Sequence, residues 1–238
     1  MSGHSKWANI KHKKAKEDAL KGKVFTKLGK EIAVAVKEGG ADPAGNARLR
    51  MVLEKAKAAN MPADTVSRAI KKAAGEMSGV NFETIVYEGY GPAGTAVIVE
   101  SLTDNKKRTV ADVRHIFTKY GGNLGETNSV GWMFEHKGVI RATGAISEDE
   151  LIEKLLDYGV DNIEHHEKMF TIHCAVSDLE KVKEAAKISN MKIEDSGLEY
   201  VPKTHVEISD SEQEDKVVRF LEALDDLDDV QSVYSNLG

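Results

Sequence analysis

Phe25, Leu28, Ile32 and Val36 recur at offsets of three, four and four, so their side chains share one face of an α-helix. Gly39-Gly40 ends that helix. Asp42-Pro43 supplies an N-cap and a first-turn proline for the next one, whose apolar stripe is Leu49, Val52, Leu53 and Ala56. Asn60-Met61-Pro62 breaks the chain, and a further helix carries Val66, Ala69, Ile70 and Ala73 before stopping at Gly75. Residues 6–20 also read as helical, with sparse apolar positions. Residues 1–78 are therefore expected to form a small helical bundle with basic outer faces. The stretch 44–74 has the outline of a DNA-reading helix-turn-helix, with Thr65, Arg68, Lys71 and Lys72 at the groove. Two helices joined by a short turn are nevertheless ordinary in any bundle.

From residue 79 the period changes to that of strands. Residues 84–87 and 95–102 are expected to pair, joined by a glycine-built loop at 87–94. Asn105 caps a helix that buries Val110, Val113, Ile116 and Phe117 and stops at Gly121-Gly122. Val130, Trp132 and Phe134 alternate as a strand, and Gly138 marks a turn. A second unit follows. It has a strand at 139–142, a helix after the capping box Ser147-x-x-Glu150, a hairpin around Glu167-Lys168, a helix after Ser177-x-x-Glu180 and a strand at 192–200. The succession βαββαβ is the ferredoxin-like plan. Beyond Pro202, a strand at 204–208, a helix with Val217, Val218, Leu221 and Leu224, and a strand at 230–234 make a βαβ too small to stand alone. It is assigned to the preceding unit. The expected fold class is α+β: an N-terminal helical bundle (1–78), a discontinuous α/β domain (79–136 with 202–238), and an inserted ferredoxin-like α/β domain (137–201).

Charge divides the chain more sharply than hydropathy does. Residues 1–75 hold 17 Lys and Arg against 7 Asp and Glu, a net of +10, which leaves −16 for the remainder of a chain whose total is −6. A basic module beside an acidic body points to a polyanionic partner met by one end only. The 238 residues contain no apolar run near the roughly 18 that a membrane span needs. The N-terminus lacks the apolar core of a secretory signal, and the single cysteine, Cys174, fits a reducing cytoplasm.

The basic arm concentrates the candidate chemistry. Lys6, Lys11, Lys13, Lys14 and Lys16, with His12, surround a single aromatic, Trp7. That composition suits a phosphate backbone plus one stacking or wedging contact, although Trp7 tucked into a core is the plainer alternative. Lys106, Lys107 and Arg108 sit in the first turn of their helix, where cations oppose the helix dipole, an arrangement that makes sense if an anion docks there. The loop Tyr87, Glu88, Gly89, Tyr90, Gly91, Pro92 is more decorated than a turn requires and is a candidate partner contact. Its Gly89-x-Gly91-x-x-Gly94 spelling is not a dinucleotide site, because a strand and not a helix follows and Pro92 removes an N–H. Glu164, His165, His166, His173 and Cys174 look like metal ligands in a list, but neighbours in a strand point to opposite faces, so neither His165 with His166 nor His173 with Cys174 can converge, and no metal is expected. The acidic run Asp225-Asp226-Leu227-Asp228-Asp229 lacks the glycine of a calcium loop and reads as a solvated turn. No catalytic set and no cofactor motif emerges, so no enzyme activity is expected.

Gly3-His4-Ser5-Lys6-Trp7-Ala8-Asn9-Ile10-Lys11, Asn46-Ala47-Arg48-Leu49-Arg50, Ala56-Lys57-Ala58-Ala59-Asn60-Met61-Pro62, Tyr87-Glu88-Gly89-Tyr90-Gly91-Pro92 and Thr103-Asp104-Asn105 resemble the YebC/PmpR family along nearly the whole chain. Ala93 and Asn128 stand where that family usually has glycine. The resemblance implies three domains, the last inserted into the middle one, and a DNA-binding transcriptional regulator of the bacterial cytoplasm. Other members are described as ribosome-associated, ribosomal-RNA-contacting translation factors that relieve stalling, for example on proline-rich peptides, and mitochondrial relatives are translational activators. Either way the expected partner is nucleic acid, duplex DNA or ribosomal RNA, with no small-molecule substrate and no membrane.

Overall fold

A computed structural model describes residues 6, 7, 10, 21–75 and 82–238. They fall into two compact units, residues 133–204 and all the others.

In the larger unit, α1 (Lys21–Gly39), α2 (Ala47–Ala58) and α3 (Ala63–Gly75) form the bundle. The 3.6-residue stripes meet in one core: Leu28, Ile32, Ala35 and Val36 from α1, with Leu49, Val52, Ala56 and Met61, and Val66, Ala69 and Ile70 against them. Both α2 and α3 rest on α1 and touch each other little. A helix-turn-helix reading head needs its two helices packed together, so this arrangement does not supply one. The cap of α2 is Asn46, four residues later than the sequence placed it; Asp42 instead holds a turn by accepting from Ala44 N. Asn46 Oδ1 accepts from Leu49 N at 2.9 Å, and its Nδ2 donates to the carbonyls of Ala35 and Gly40. One buried amide thus satisfies donors and acceptors at the end of one helix and the start of the next. Gly39 leaves it room: a Cβ there would lie 2.7 Å from the Asn46 side chain.

The same unit holds an antiparallel sheet of order β3-β1-β2-β8, built from β1 (Glu83–Tyr90), β2 (Ala96–Thr103), β3 (Asn123–Leu124) and β8 (Val230–Ser235). The apolar run of β2 is buried along nearly its whole length, as a central strand covered on both faces requires. Helices α4 (Lys106–Lys119) and α7 (Ser211–Asp225) pack Val113, Phe117, Val217, Phe220 and Leu221 onto Val97, Val99 and Val233. The Phe117 and Phe220 rings meet edge to face at 5.0 Å. The expected strand at 204–208 is reduced to one bridge, Val206 with Leu237.

The smaller unit is β4 (Phe134–Thr143), α5 (Glu148–Leu155), β5 (Val160–His166), β6 (Met169–Cys174), α6 (Leu179–Ile188) and β7 (Lys192–Pro202), with sheet order β5-β6-β4-β7. That is the ferredoxin-like succession; the other sheet reaches four strands and two helices by a hairpin-first path. Gly138, expected at a turn, lies inside the ten-residue β4, where a Cβ would come within 2.7 Å of the Cys174 sulfur. Its glycine serves close packing and not reversal. Arg141 crosses to Glu199 on β7 with two bonds, at 2.5 and 2.9 Å.

Replacing Asn46 by Ala removes the cap and strands two carbonyls. The expected loss is about 3 kcal/mol, to be read from urea denaturation of the full chain. A loss below about 1 kcal/mol would show that the bundle does not depend on this amide.

Candidate nucleic-acid interface

The arm begins at a fixed root. Lys6 N donates to Leu237 O at 3.1 Å, and the Lys6 ammonium pairs with Glu214 on α7. Trp7 is only 3% exposed, packed in the core with Phe117 and Phe220, and its Nε1 donates to Val233 O at 2.9 Å. Ile10 packs beside it. Strand β8 is the edge of its sheet, so this segment fastens to an edge that would otherwise be open. Trp7 as a stacking or wedging contact is therefore corrected: both its ring and its N–H are used inside the protein. Lys11, His12, Lys13, Lys14 and Lys16 lie outside the described residues.

The 87–92 motif is mostly strand and not loop. Strand β1 runs to Tyr90, and the reversal shrinks to a single turn at Pro92–Gly94. Tyr87 turns toward the helices, where burial first and the Asp229 charge second push its hydroxyl above the ordinary value. Gly89 lets β3 approach: a Cβ there would sit 2.5 Å from Asn123 O. Gly91 makes the corresponding room for Phe220. Glu88 is buried, and its carboxylate accepts from the backbone N–H groups of Asn128, Val130 and Gly131 at 2.9, 3.0 and 2.6 Å. Those donors are lost to any ladder, which is why the expected strand through Val130 and Trp132 is a loop and a single 3-10 turn. Tyr90 alone of the six residues is well exposed, at 40%. Trp132, with its Nε1 on Ser129 O, is exposed nearby in sequence to that loop.

The basic first turn of α4 does meet an anion, and the anion is internal. Arg108 reaches Asp229 through Nε at 3.2 Å and Nη2 at 2.8 Å, and Asp104 at 2.8 Å. Lys106 pairs with Glu83. Lys107 is exposed, with no ion pair among the described residues. Asp229 also accepts from the hydroxyls of Thr109 (2.8 Å) and Thr103 (3.2 Å), and from the Lys30 ammonium at 2.7 Å. Burial works to raise this carboxyl, yet the hydrogen bonds of Lys30, Arg108 and Thr109 outweigh it and hold the group at about 2. Lys27 donates to Asp225 O at 2.8 Å and lies 3.3 Å from its carboxylate, and Lys23 is 3.0 Å from Asp226. The acidic run is thus no solvated turn. It receives Lys23, Lys27 and Lys30, which are spaced four and three on one face of α1. That spacing was the overlooked signal for Asp229; Glu88 had none, since its partners are backbone.

In the smaller unit, His165 lies flat on Phe170 at 4.1 Å, His173 sits 3.7 Å from Glu164, and the Cys174 thiol faces Gly138 O. They do not converge. No helix among the described residues is long and apolar enough to cross a membrane.

A basic bundle joined by charge to a mixed α+β body defines a class of protein built from an N-terminal domain and two sheet domains. Family models match that division: residues 5–76 match the TACO1/YebC protein N-terminal domain, and residues 82–237 the TACO1/YebC second and third domain. The chain belongs to the TACO1/YebC family. It is 50% identical to a probable transcriptional regulatory protein of Acetivibrio thermocellus, over 99% of this chain and 98% of that one. It is 52% identical to another so named from Clostridium acetobutylicum, over 99% and 96%. The crystal structure of a conserved hypothetical protein from Aquifex aeolicus superposes with a TM-score of 0.87 at 46% identity, over 98% of this chain and 96% of that one.

Asp229 titrates below its ordinary value of 3.8, at about 2. The unfolded chain therefore binds this proton first. The stabilisation, about 2 kcal/mol, is fully present above pH 4 and lost as pH falls toward 2. In Asp229→Asn the loss is expected at neutral pH, at roughly 3 kcal/mol, with a flatter stability profile between pH 4 and 2 than the parent; urea midpoints across that range measure both. Ala93 holds φ 55° in the turn after β1. Ala93→Gly should relieve that left-handed strain and raise stability by about 0.5 kcal/mol, readable as an increase of a few degrees at most in Tm.

Proposed function

We propose that this chain is a non-enzymatic, cytoplasmic regulator of gene expression that binds nucleic acid through its basic N-terminal arm. The carrying observation is the root of the arm. Trp7 and Lys6 are fastened to β8 and α7, so the lysines that follow leave from a rigid base. A cationic segment that starts at a fixed point loses less freedom on meeting a phosphate backbone than a free tail does. The names carried by the relatives favour DNA and transcription. Of the 87–92 motif, Tyr90 is the side chain with surface left for a partner, and Lys107 extends the footprint of the arm. Lys106 and Arg108 serve Glu83 and Asp229 and drop to a supporting role.

If about six lysines meet phosphates, affinity for duplex DNA should fall with salt at a log–log slope near −5. Changing Lys11, Lys13 and Lys14 together to Ala should reduce it to roughly −3. An unchanged slope would remove the arm from the interface. Sedimentation of cell extract at low and moderate salt separates the partners. Co-migration with ribosomes that the triple variant loses would replace the transcriptional reading with the translational one.

A further inference from the structure

The bundle core and the core around Phe117 and Phe220 share no residue. Among the described residues, ion pairs and hydrogen bonds join α1 to the turn after α7. Lys23, Lys27 and Lys30 form a row along α1, and carboxylates of Asp226, Asp225 and Asp229 occupy it, with the carbonyls of Asp225 and Asp228 behind them. A row of three ammonium groups on one helical face, each on an oxygen of one continuous acidic segment, is the geometry with which a helix tracks a phosphate backbone.

We propose that the lysine row of α1 is a second nucleic-acid-binding surface, masked by the Asp225–Asp229 turn acting as an internal phosphate mimic, and that a bound polyanion displaces the turn and undocks the bundle. This rests on the nucleic-acid reading above and adds a site and a gate to it. The chemistry favours a reversible clasp. The Lys23–Asp226 pair has both side chains 48% exposed and contributes little. The inner pairs are more enclosed, Lys30 at 17% and Asp229 at 9%. When Lys30 leaves, however, Asp229 keeps Arg108, Thr103 and Thr109, so opening orphans no buried carboxylate. The lysines then exchange one set of anionic oxygens for another. Phosphates of either DNA or RNA could supply it, since the recognised group is the same.

The test uses the full chain and two probes, a 30-base-pair DNA duplex and a 30-nucleotide single-stranded RNA. Asp225→Asn with Asp226→Asn weakens the mask and leaves Asp229 in place. This variant should bind whichever probe the parent prefers on the order of tenfold more tightly at low salt, with a steeper salt slope because more phosphates are contacted. Spin labels at Ala44→Cys in the bundle and Gln213→Cys on α7 report the docking. Cys174 stays unlabelled because burial, with Asp161 and Asp178 nearby, pushes its thiol up to about 11. The parent should show one narrow distance that broadens on saturation with the preferred probe, and the variant should be broad without it. A parent distance unchanged at saturation, or a variant that opens but binds no tighter, overturns the mask while leaving the arm's function intact. A parent that binds neither probe overturns both. The preferred probe tells DNA from RNA.

Discussion

Asp229 is the charge on which the larger unit turns. Its carboxylate lies where the end of β2, the first turn of α4 and the middle of α1 meet, and its carbonyl also accepts from Leu102 N. Taking a carboxylate out of water costs several kcal/mol unless donors replace the solvent. Here two cations and two hydroxyls do so. The same placement resolves the odd charge of α4. Three cations at a helix N-terminus oppose the dipole; Asp229 and Asp104 stand against Arg108 and Glu83 against Lys106, which leaves Lys107 as the one without an ion pair among the described residues.

Glu88 repeats the device with backbone in place of side chains. Three amide N–H groups of the 128–131 segment converge on one buried carboxylate, which fixes a loop that the strand pattern would have extended. Both cases show why helices were legible in the sequence and strand ends were not. A helix satisfies its backbone from within, so apolar period and end signals suffice to place Phe25 to Val36 or the stripe of α7. A strand ends where its donors find another acceptor, and that acceptor is remote in sequence, 40 residues away for Glu88 and Asn128. Gly138 misled for a related reason. Its local signal is a turn, while its reason for being glycine is a sulfur 36 residues on.

Legibility of the site divides along the same line. The charge asymmetry and the lysine-rich arm are properties of composition and were readable. Which of these side chains remain available depends on contacts remote in sequence, such as Arg108 with Asp229 across 121 residues, Lys27 with Asp225 across 198 and Trp7 with Val233 across 226. An aromatic among lysines looks alike whether it serves a nucleobase or a core; what decides is that the Trp7 ring joins the core with Phe117 and Phe220 and its N–H finds Val233 O on the edge strand β8.

The two halves of the larger unit are consequently held by forces of different range. Within each core, burial of apolar side chains is indifferent to salt. Across α1 and the Asp225–Asp229 turn the bonds are ionic, screened in their exposed outer pair and protected in the inner ones. Among the described residues the two cores share no apolar member, although Val34, one turn beyond Lys30 on the same face of α1, is buried outside both. An acidic body would by itself repel a polyanion that the arm attracts. Placing part of that acid directly on the bundle's lysines lowers the repulsion, and in the function proposed above the arm is then the first surface a phosphate backbone meets.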